Sequence, residues 1–90
     1  MDVVQATVEL NADTFYEGTH NMSLNLFIMF YSPTCSACSN LALDFEAVAA
    51  TFRSQSDLKI ARLNVDAFPG AAAKYSSLGI PSFVSIGFKV

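Results

Sequence analysis

An almost uninterrupted apolar run over residues 24–31 most constrains the fold of this 90-residue chain. A run of that length is too short to cross a membrane and is typical of a β-strand buried on both faces. The chain then passes Pro33 and two cysteines, Cys35 and Cys38, and a helical pattern begins at once. The helical pattern places apolar or small residues at Cys38, Leu41, Ala42, Phe45, Val48, Ala49 and Phe52. A buried strand, a turn and an amphipathic helix over residues 35–54 are therefore predicted in succession.

The two cysteines fall where the predicted strand gives way to the predicted helix. Cys35 is expected in the first helical turn, where unpaired backbone N–H groups and the positive end of the helix dipole favour a thiolate. The thiolate is the nucleophile of disulfide exchange. Cys38 follows one turn later, close enough to close a small disulfide with Cys35. This layout indicates a dithiol redox site.

The rest of the chain alternates between strand and helix patterns. A short helix is expected after a cap at Asn11 or Asp13, and another over residues 71–78. Further strands are predicted over residues 3–4 with 6–10, over 58–66 and over 82–88, with Ile60, Leu63 and Val65 as core side chains of the third strand. This order predicts an α/β fold in one domain spanning residues 1–90.

Composition excludes several classes of function. A net charge of −3 provides no basic surface for nucleic acid, and an apolar content of 52% argues against disorder. Two cysteines cannot form a four-cysteine zinc site, and His20 is expected in a distant loop. We therefore predict no metal and no cofactor, and no membrane insertion. A metal or iron–sulfur cluster bridging two chains through the cysteines stays open as a rarer alternative.

Four segments carry a resemblance to a known family. They are Phe30-Tyr31-Ser32-Pro33-Thr34-Cys35-Ser36-Ala37-Cys38, residues 45–52, residues 62–67, and Gly79-Ile80-Pro81-Ser82-Phe83. In this order they resemble the thioredoxin superfamily, and within it the redox-active domains of protein disulfide isomerases. The resemblance implies a thioredoxin-like three-layer sandwich with a central mixed sheet. The usual last strand and helix of that fold are lacking, which indicates a fragment or a C-terminally truncated domain.

The resemblance also implies roles for individual residues. Cys35 would attack client disulfides, and Cys38 would resolve the mixed disulfide. Pro81, following a cis peptide bond, would pack beside the dithiol, and the backbone of Ile80 would pair with an extended client segment. Residues around the first cysteine complete the client-binding surface: Thr34, Ser36 and Ala37. The alternative for Pro81 is an ordinary proline at the start of a strand.

Some positions depart from the family pattern. Thr34 stands where the family usually has Trp, which removes an apolar platform beside the sulfur. Met29 stands where the family often buries an acid that relays the proton of the resolving cysteine. Arg62 corresponds to a basic residue close to that acid, so Met29 and Arg62 are interpreted as modulating residues, and slow release of mixed disulfides is predicted. The alternative for Arg62 is a side chain that extends to solvent.

The predicted function is that of a thiol–disulfide oxidoreductase of the disulfide-isomerase type, acting on protein clients with thiols or disulfides. The alternative is a redox-inactive thioredoxin-fold module that binds clients, and a redox sensor or electron carrier is not separable from the enzyme by sequence. The open edge at residues 82–88 predicts self-association. The resemblance implies the endoplasmic reticulum lumen or another secretory compartment, with the cytoplasm as the alternative.

Overall fold

The computed structural model describes residues 6–20, 25–54, 57–76 and 79–86. The described elements alternate along the chain: β1 (Val8–Leu10), α1 (Ala12–Thr19), β2 (Asn25–Tyr31), α2 (Ser36–Thr51), β3 (Leu58–Asn64), α3 (Pro69–Ser76) and β4 (Ser82–Ile86). Within the described residues, no helix is both long enough and apolar enough to span a membrane. The predicted α/β order is confirmed.

The four described strands form one mixed sheet in the order β1-β3-β2-β4. Strand β3 runs parallel to both β1 and β2, with Ile28 opposite Ala61, whereas β4 runs antiparallel to β2, with Ile28 opposite Val84. The apolar run is therefore an interior strand with a partner on each side. This position explains why β2 carries almost no polar residues, since both of its faces are covered.

Helices cover both faces of the sheet and make three layers. On one face, Phe15 of α1 and Phe68 beside α3 pack against a buried cluster from β1, β2 and β3. On the other face, Phe45 and Ala49 of α2 pack against Met29 and Ile60. Period-2 alternation along β2 divides its side chains between the two cores. The predicted three-layer sandwich is confirmed.

The ends of several elements differ from the prediction by a few residues. Helix α1 begins after Asn11, whose side chain accepts the Thr14 N–H in a capping box. Strand β3 stops at Asn64 rather than residue 66, because the Asn64 side chain closes a turn there. Helix α3 begins two residues early, since Pro69 suits a first helical position. The predicted strand at residues 3–4 and the end of the predicted strand at 87–88 lie outside the described residues.

Helix α2 is shorter than predicted, and its buried face is narrower. It ends at Thr51, where the N–H of Phe52 turns back to the Ala49 carbonyl. The buried residues of the helix are Cys38, Phe45, Glu46 and Ala49. Four large apolar side chains are exposed along it or just after it: Leu41, Leu43, Val48 and Phe52. The sequence pattern was wrong for Leu41, Val48 and Phe52, because two helical faces both carry apolar residues and only one meets the sheet.

Candidate active site

Cys35 and Cys38 form a disulfide at the N-terminus of α2, with their Cα atoms 5.2 Å apart. Cys35 has extended backbone angles and is the N-cap residue, one position before the predicted first turn. The N–H of Cys38 donates to Cys35 Sγ over 3.1 Å. An N–H group that faces the first sulfur would also stabilise a thiolate there after reduction.

The two cysteine residues differ in exposure to solvent. Cys35 is half-buried, whereas Cys38 is 3% exposed. The neighbours Thr34, Ser36 and Ala37 are exposed and surround Cys35 on the surface. Cys35 is therefore the more accessible of the two cysteines, while Cys38 is shielded inside the helix terminus.

The loop between β2 and α2 is tied to the end of β3. The Ser32 carbonyl accepts the Cys35 N–H over 3.0 Å, and Ser32 Oγ lies 2.5 Å from Asp66 Oδ2. Ser32 Oγ also lies 3.0 Å from Thr34 Oγ1. Neither Ser32 nor Asp66 was predicted as a site residue, because their contact joins segments far apart in the sequence.

The register of β4 places the predicted site residues Ile80 and Pro81 beside the end of β2. The Ile80–Pro81 peptide bond is cis, and Gly79 before it has a φ of 98°. Because Ser82 pairs with Phe30 in the antiparallel ladder, Pro81 comes beside the end of β2, from which the cysteine loop departs. Ile80 is exposed and Pro81 is half-buried. The structure therefore places Pro81 at the end of the sheet from which the cysteine loop departs.

Met29 and Arg62 are neighbours in the β2–β3 ladder, and Met29 is buried. Arg62 does not extend freely to solvent, because its Nε lies 2.7 Å from Glu9 Oε1 and its Nη1 lies 3.8 Å from Glu46 Oε2. Its guanidinium also lies 6.0 Å from the centre of the Tyr31 ring. The basic residue is thus held between two carboxylates on the α2 face of the sheet.

Glu46 is a buried acid that the sequence interpretation did not single out. It accepts hydrogen bonds from the N–H groups of Ala6 (2.7 Å) and Thr7 (3.0 Å), and from the Thr7 hydroxyl. Burial disfavours its charged form, but the hydrogen bonds from Thr7 and Ala6 and the charge of Arg62 outweigh that effect and lower its pKa. Its position on the buried face of α2, one turn before Ala49, was the available sequence signal.

Tyr31, the last residue of β2, lies on the α2 face of the sheet, where the cysteine loop begins. Its hydroxyl donates to the Glu9 carboxylate, with O–O distances of 3.0 and 2.8 Å. Burial, followed by the hydrogen bond and the charge of Glu9, raises the pKa of Tyr31 to about 12. The phenol therefore stays protonated through the physiological pH range and serves as a fixed donor.

The described part of the chain contains no group of three or more histidine, cysteine or acidic side chains arranged to hold a metal ion. Among the described residues, the Cys38 N–H contacts Cys35 Sγ, and the hydroxyls of Ser32 and Thr34 and the Asp66 carboxylate contact one another in the adjoining loop. The chemistry that this arrangement supports directly is that of the two sulfurs.

A family model described as Thioredoxin matches residues 6–87, and the chain belongs to the thioredoxin family. Similar relatives include the probable protein disulfide-isomerase A6 of Medicago sativa, 37% identical over 75 residues, and protein disulfide-isomerase erp38 of Neurospora crassa, 35% identical over 77 residues. Each alignment covers 83% of this chain and 21% of the relative. The chain thus spans about a fifth of the length of these relatives.

Solved structures agree with this assignment. The Trx4 domain of ERdj5 matches with a TM-score of 0.75 at 25% identity, covering 89% of this chain and 68% of that chain. Full-length ERdj5 matches with a TM-score of 0.85 at 22% identity, covering 97% of this chain and 12% of that chain, which shows the fold alone. The chain is therefore a thioredoxin-fold domain similar to those of protein disulfide isomerases, and its Cys35–Cys38 pair is closed as a disulfide.

Proposed function

We propose that residues 1–90 form a single thiol–disulfide oxidoreductase domain of the disulfide-isomerase type. The observation that carries the proposal is the unequal access to a disulfide at a helix N-terminus. Cys35 is partly exposed and its sulfur accepts a hydrogen bond from the Cys38 N–H, whereas Cys38 is buried one turn along the helix. An attacking thiol needs access and thiolate character, and a resolving thiol needs only to reach the first sulfur.

In the reducing direction, the Cys35 thiolate attacks one sulfur of a client disulfide. The client S–S bond breaks, its other sulfur leaves as a thiolate, and a mixed disulfide forms at Cys35. Cys38 then loses its proton and attacks Cys35 Sγ, which releases the second client sulfur. Two electrons pass from the domain to the client, the released client thiolates take up protons, and the Cys35–Cys38 disulfide forms. The reverse sequence oxidises a client dithiol.

The client would approach the surface formed by Thr34, Ser36 and Ala37. The backbone of Ile80, exposed ahead of the cis bond to Pro81, would pair with an extended client segment. Main-chain pairing of this kind does not select a particular sequence, which suits a domain that acts on many protein clients.

Reduction of insulin disulfides by the purified chain tests the proposal. With a small-molecule dithiol as electron donor, the chain is expected to accelerate the precipitation of insulin B chains well above the rate of the donor alone. An unchanged rate, together with binding of unfolded protein, would favour the second candidate function, a redox-inactive client-binding module. That candidate rests on Thr34 in place of an aromatic residue and on the exposed apolar side chains of Ile80 and Phe83.

We further propose that Met29 and Arg62 modulate the resolving step. Met29 carries no proton-accepting group, and Arg62 is paired with two carboxylates. Because neither residue can accept the proton of Cys38, we expect mixed disulfides to be released slowly. Met29→Glu is expected to speed the decay of a preformed mixed disulfide severalfold. The decay is measured by quenching samples rapidly with acid and determining the remaining mixed disulfide by mass spectrometry. Met29→Gln, which has a similar shape and no acid, is the matched control, and equal decay in both variants would contradict the proposal.

Self-association through residues 82–88 also stays a prediction. Among the described strands, β4 pairs on one side with β2, and Phe83 is 44% exposed. Phe83 packs on Phe27 and Phe45, with ring centres 6.0 and 5.6 Å away, so its free face continues an aromatic cluster. We expect a concentration-dependent dimer in sedimentation velocity, and weaker dimerisation in Phe83→Lys. A monomer at every concentration would contradict the prediction.

For localisation we propose the endoplasmic reticulum lumen or another secretory compartment. The support is chemical, because disulfide formation and isomerisation proceed in oxidising compartments. The similarity to proteins named protein disulfide-isomerase agrees with this placement.

A further inference from the structure

We propose that Asp66 is a positioning residue for the dithiol, acting through the buried hydroxyl of Ser32. The proposal begins from the proton of that hydroxyl. Ser32 is 8% exposed, and its Oγ lies 2.5 Å from Asp66 Oδ2. An ionised carboxylate can only accept a hydrogen bond, so Ser32 must donate its one proton to Asp66. Ser32 Oγ is then available only as an acceptor towards its other neighbours.

The other groups that contact Ser32 Oγ are the N–H and the hydroxyl of Thr34, the residue immediately before the attacking cysteine. The Thr34 N–H donates to Ser32 Oγ over 3.3 Å, and the Thr34 hydroxyl, 3.0 Å away, must also donate. The carboxylate thus fixes the direction of every bond in the chain of contacts. It also strengthens them, because a hydroxyl that donates to an anion is a better acceptor.

The backbone that carries this carboxylate is fixed at the end of β3, although Asp66 itself is exposed. The Asn64 side chain accepts the N–H groups of Asp66 (2.9 Å) and Ala67 (3.2 Å). The N–H of Val65 donates to the Tyr31 carbonyl over 2.9 Å. Asp66 therefore stands on a turn that is joined to the end of β2, and it can act as a fixed point for the loop that follows Tyr31.

The consequence falls on Cys35. With Ser32 and Thr34 held, and the Cys35 N–H bound to the Ser32 carbonyl, the chain enters the N-cap position in one conformation. That conformation keeps the Cys35 sulfur at the Cys38 N–H, where a thiolate is stabilised. The effect on client exchange rests on the proposed function, but the effect on thiolate content does not.

Alkylation of the reduced protein by iodoacetamide at pH 6 tests the inference, because only thiolates react and mass spectrometry identifies Cys35. Ser32→Ala keeps all charges and removes the link. We expect its alkylation to be about threefold to tenfold slower than in the wild type, the range that one or two net hydrogen bonds supply. Ser39→Ala, which removes an exposed hydroxyl next to Cys38, is the control and should alkylate at the wild-type rate.

A double-mutant cycle with Asp66→Ala shows whether Asp66 acts through Ser32. In the wild-type background Asp66→Ala removes both the link and a negative charge, whereas in the Ser32→Ala background only the charge is lost. Losing a nearby negative charge favours a thiolate, so the two effects have opposite signs. We expect the alkylation rate of the Asp66→Ala variant, divided by that of its parent, to be at least about threefold lower in the wild-type background than in the Ser32→Ala background. Equal effects in both backgrounds would overturn the proposal.

Three further comparisons separate the possible outcomes of these experiments. A purely structural role would lower the midpoint of urea unfolding and leave the alkylation of the folded protein unchanged, which would also overturn the proposal. If Ser32→Ala does not fold, Asp66→Ala is compared with Asp66→Asn, which loses the same charge but keeps an oxygen that can accept the Ser32 proton, and equal alkylation rates in the two variants contradict the inference. If the proposed function fails, insulin reduction is absent in the wild type while the alkylation comparison still gives its answer.

Discussion

Cys35→Ser is expected to lower the rate of insulin reduction to that of the small-molecule donor alone. A hydroxyl at this position cannot form the mixed disulfide through which electrons pass, and Cys38 is too buried to replace it. Loss of an essential nucleophile commonly costs several orders of magnitude in rate. Circular dichroism checks that the variant keeps the fold.

Cys38→Ser is expected to behave differently, although it removes the same kind of atom. Cys35 can still attack, but the resolving thiol is missing, so a mixed disulfide with the client accumulates on non-reducing gels. Cys35→Ser should trap none. Retained insulin reduction in Cys35→Ser would contradict the mechanism, and trapping in Cys35→Ser rather than Cys38→Ser would mean that the roles of the cysteines are reversed.

Glu46→Gln is expected to lower the free energy of unfolding by about 2 kcal/mol at pH 7, since an amide cannot accept all the hydrogen bonds that the carboxylate accepts from Ala6 and Thr7. For a domain of this size such a loss lowers the melting temperature by roughly 10 °C. Urea unfolding monitored by circular dichroism measures the difference. Asp44→Asn, an exposed acid on the same helix, makes the same change of charge and should cost less than about 0.5 kcal/mol.

The pH dependence of the Glu46 contribution has a definite sign. Its pKa is lower in the folded protein than in the unfolded chain, where a glutamate has a pKa of about 4.3. The stabilisation is therefore complete above that pH and is lost as the pH falls through the lowered value. The difference in unfolding free energy between the wild type and Glu46→Gln should shrink in acid, and a difference that stays constant down to pH 3 would contradict the assignment.

The sequence predicted the parts of this fold that local patterns determine. The apolar run of β2, a helix cap at Asn11 or Asp13 and the core positions of β3 each follow from residues within a few positions of one another, and the structure uses Asn11 as the cap. The arrangement of the cysteines at a helix terminus is local in the same sense. The segment around Pro81 came instead from the family resemblance, and strand register now brings it to the end of β2.

The contacts that the sequence could not predict join distant segments. Glu46 accepts hydrogen bonds from Ala6 and Thr7, which lie 40 and 39 positions earlier in the sequence. Ser32 donates to the Asp66 carboxylate, which lies 34 positions later. Helical spacing compares a residue only with its own helix, so it gave no reason to expect β1 beside Glu46. It also could not tell which of two apolar faces of α2 meets the sheet, which is why the apolar pattern of the helix included Leu41, Val48 and Phe52, which are exposed.

The redox equilibrium of the dithiol with glutathione tests the central claim most directly. Samples that begin fully reduced or fully oxidised are brought to the same series of ratios of reduced to oxidised glutathione. They are then quenched with acid and alkylated, and their masses are determined by mass spectrometry. We expect both starting states to converge on one two-electron transition between Cys35–Cys38 dithiol and disulfide, with a potential between about −270 and −180 mV. Samples that keep their starting state at every ratio, or that end as glutathione adducts without closing the disulfide, would contradict the claim that this pair exchanges disulfides.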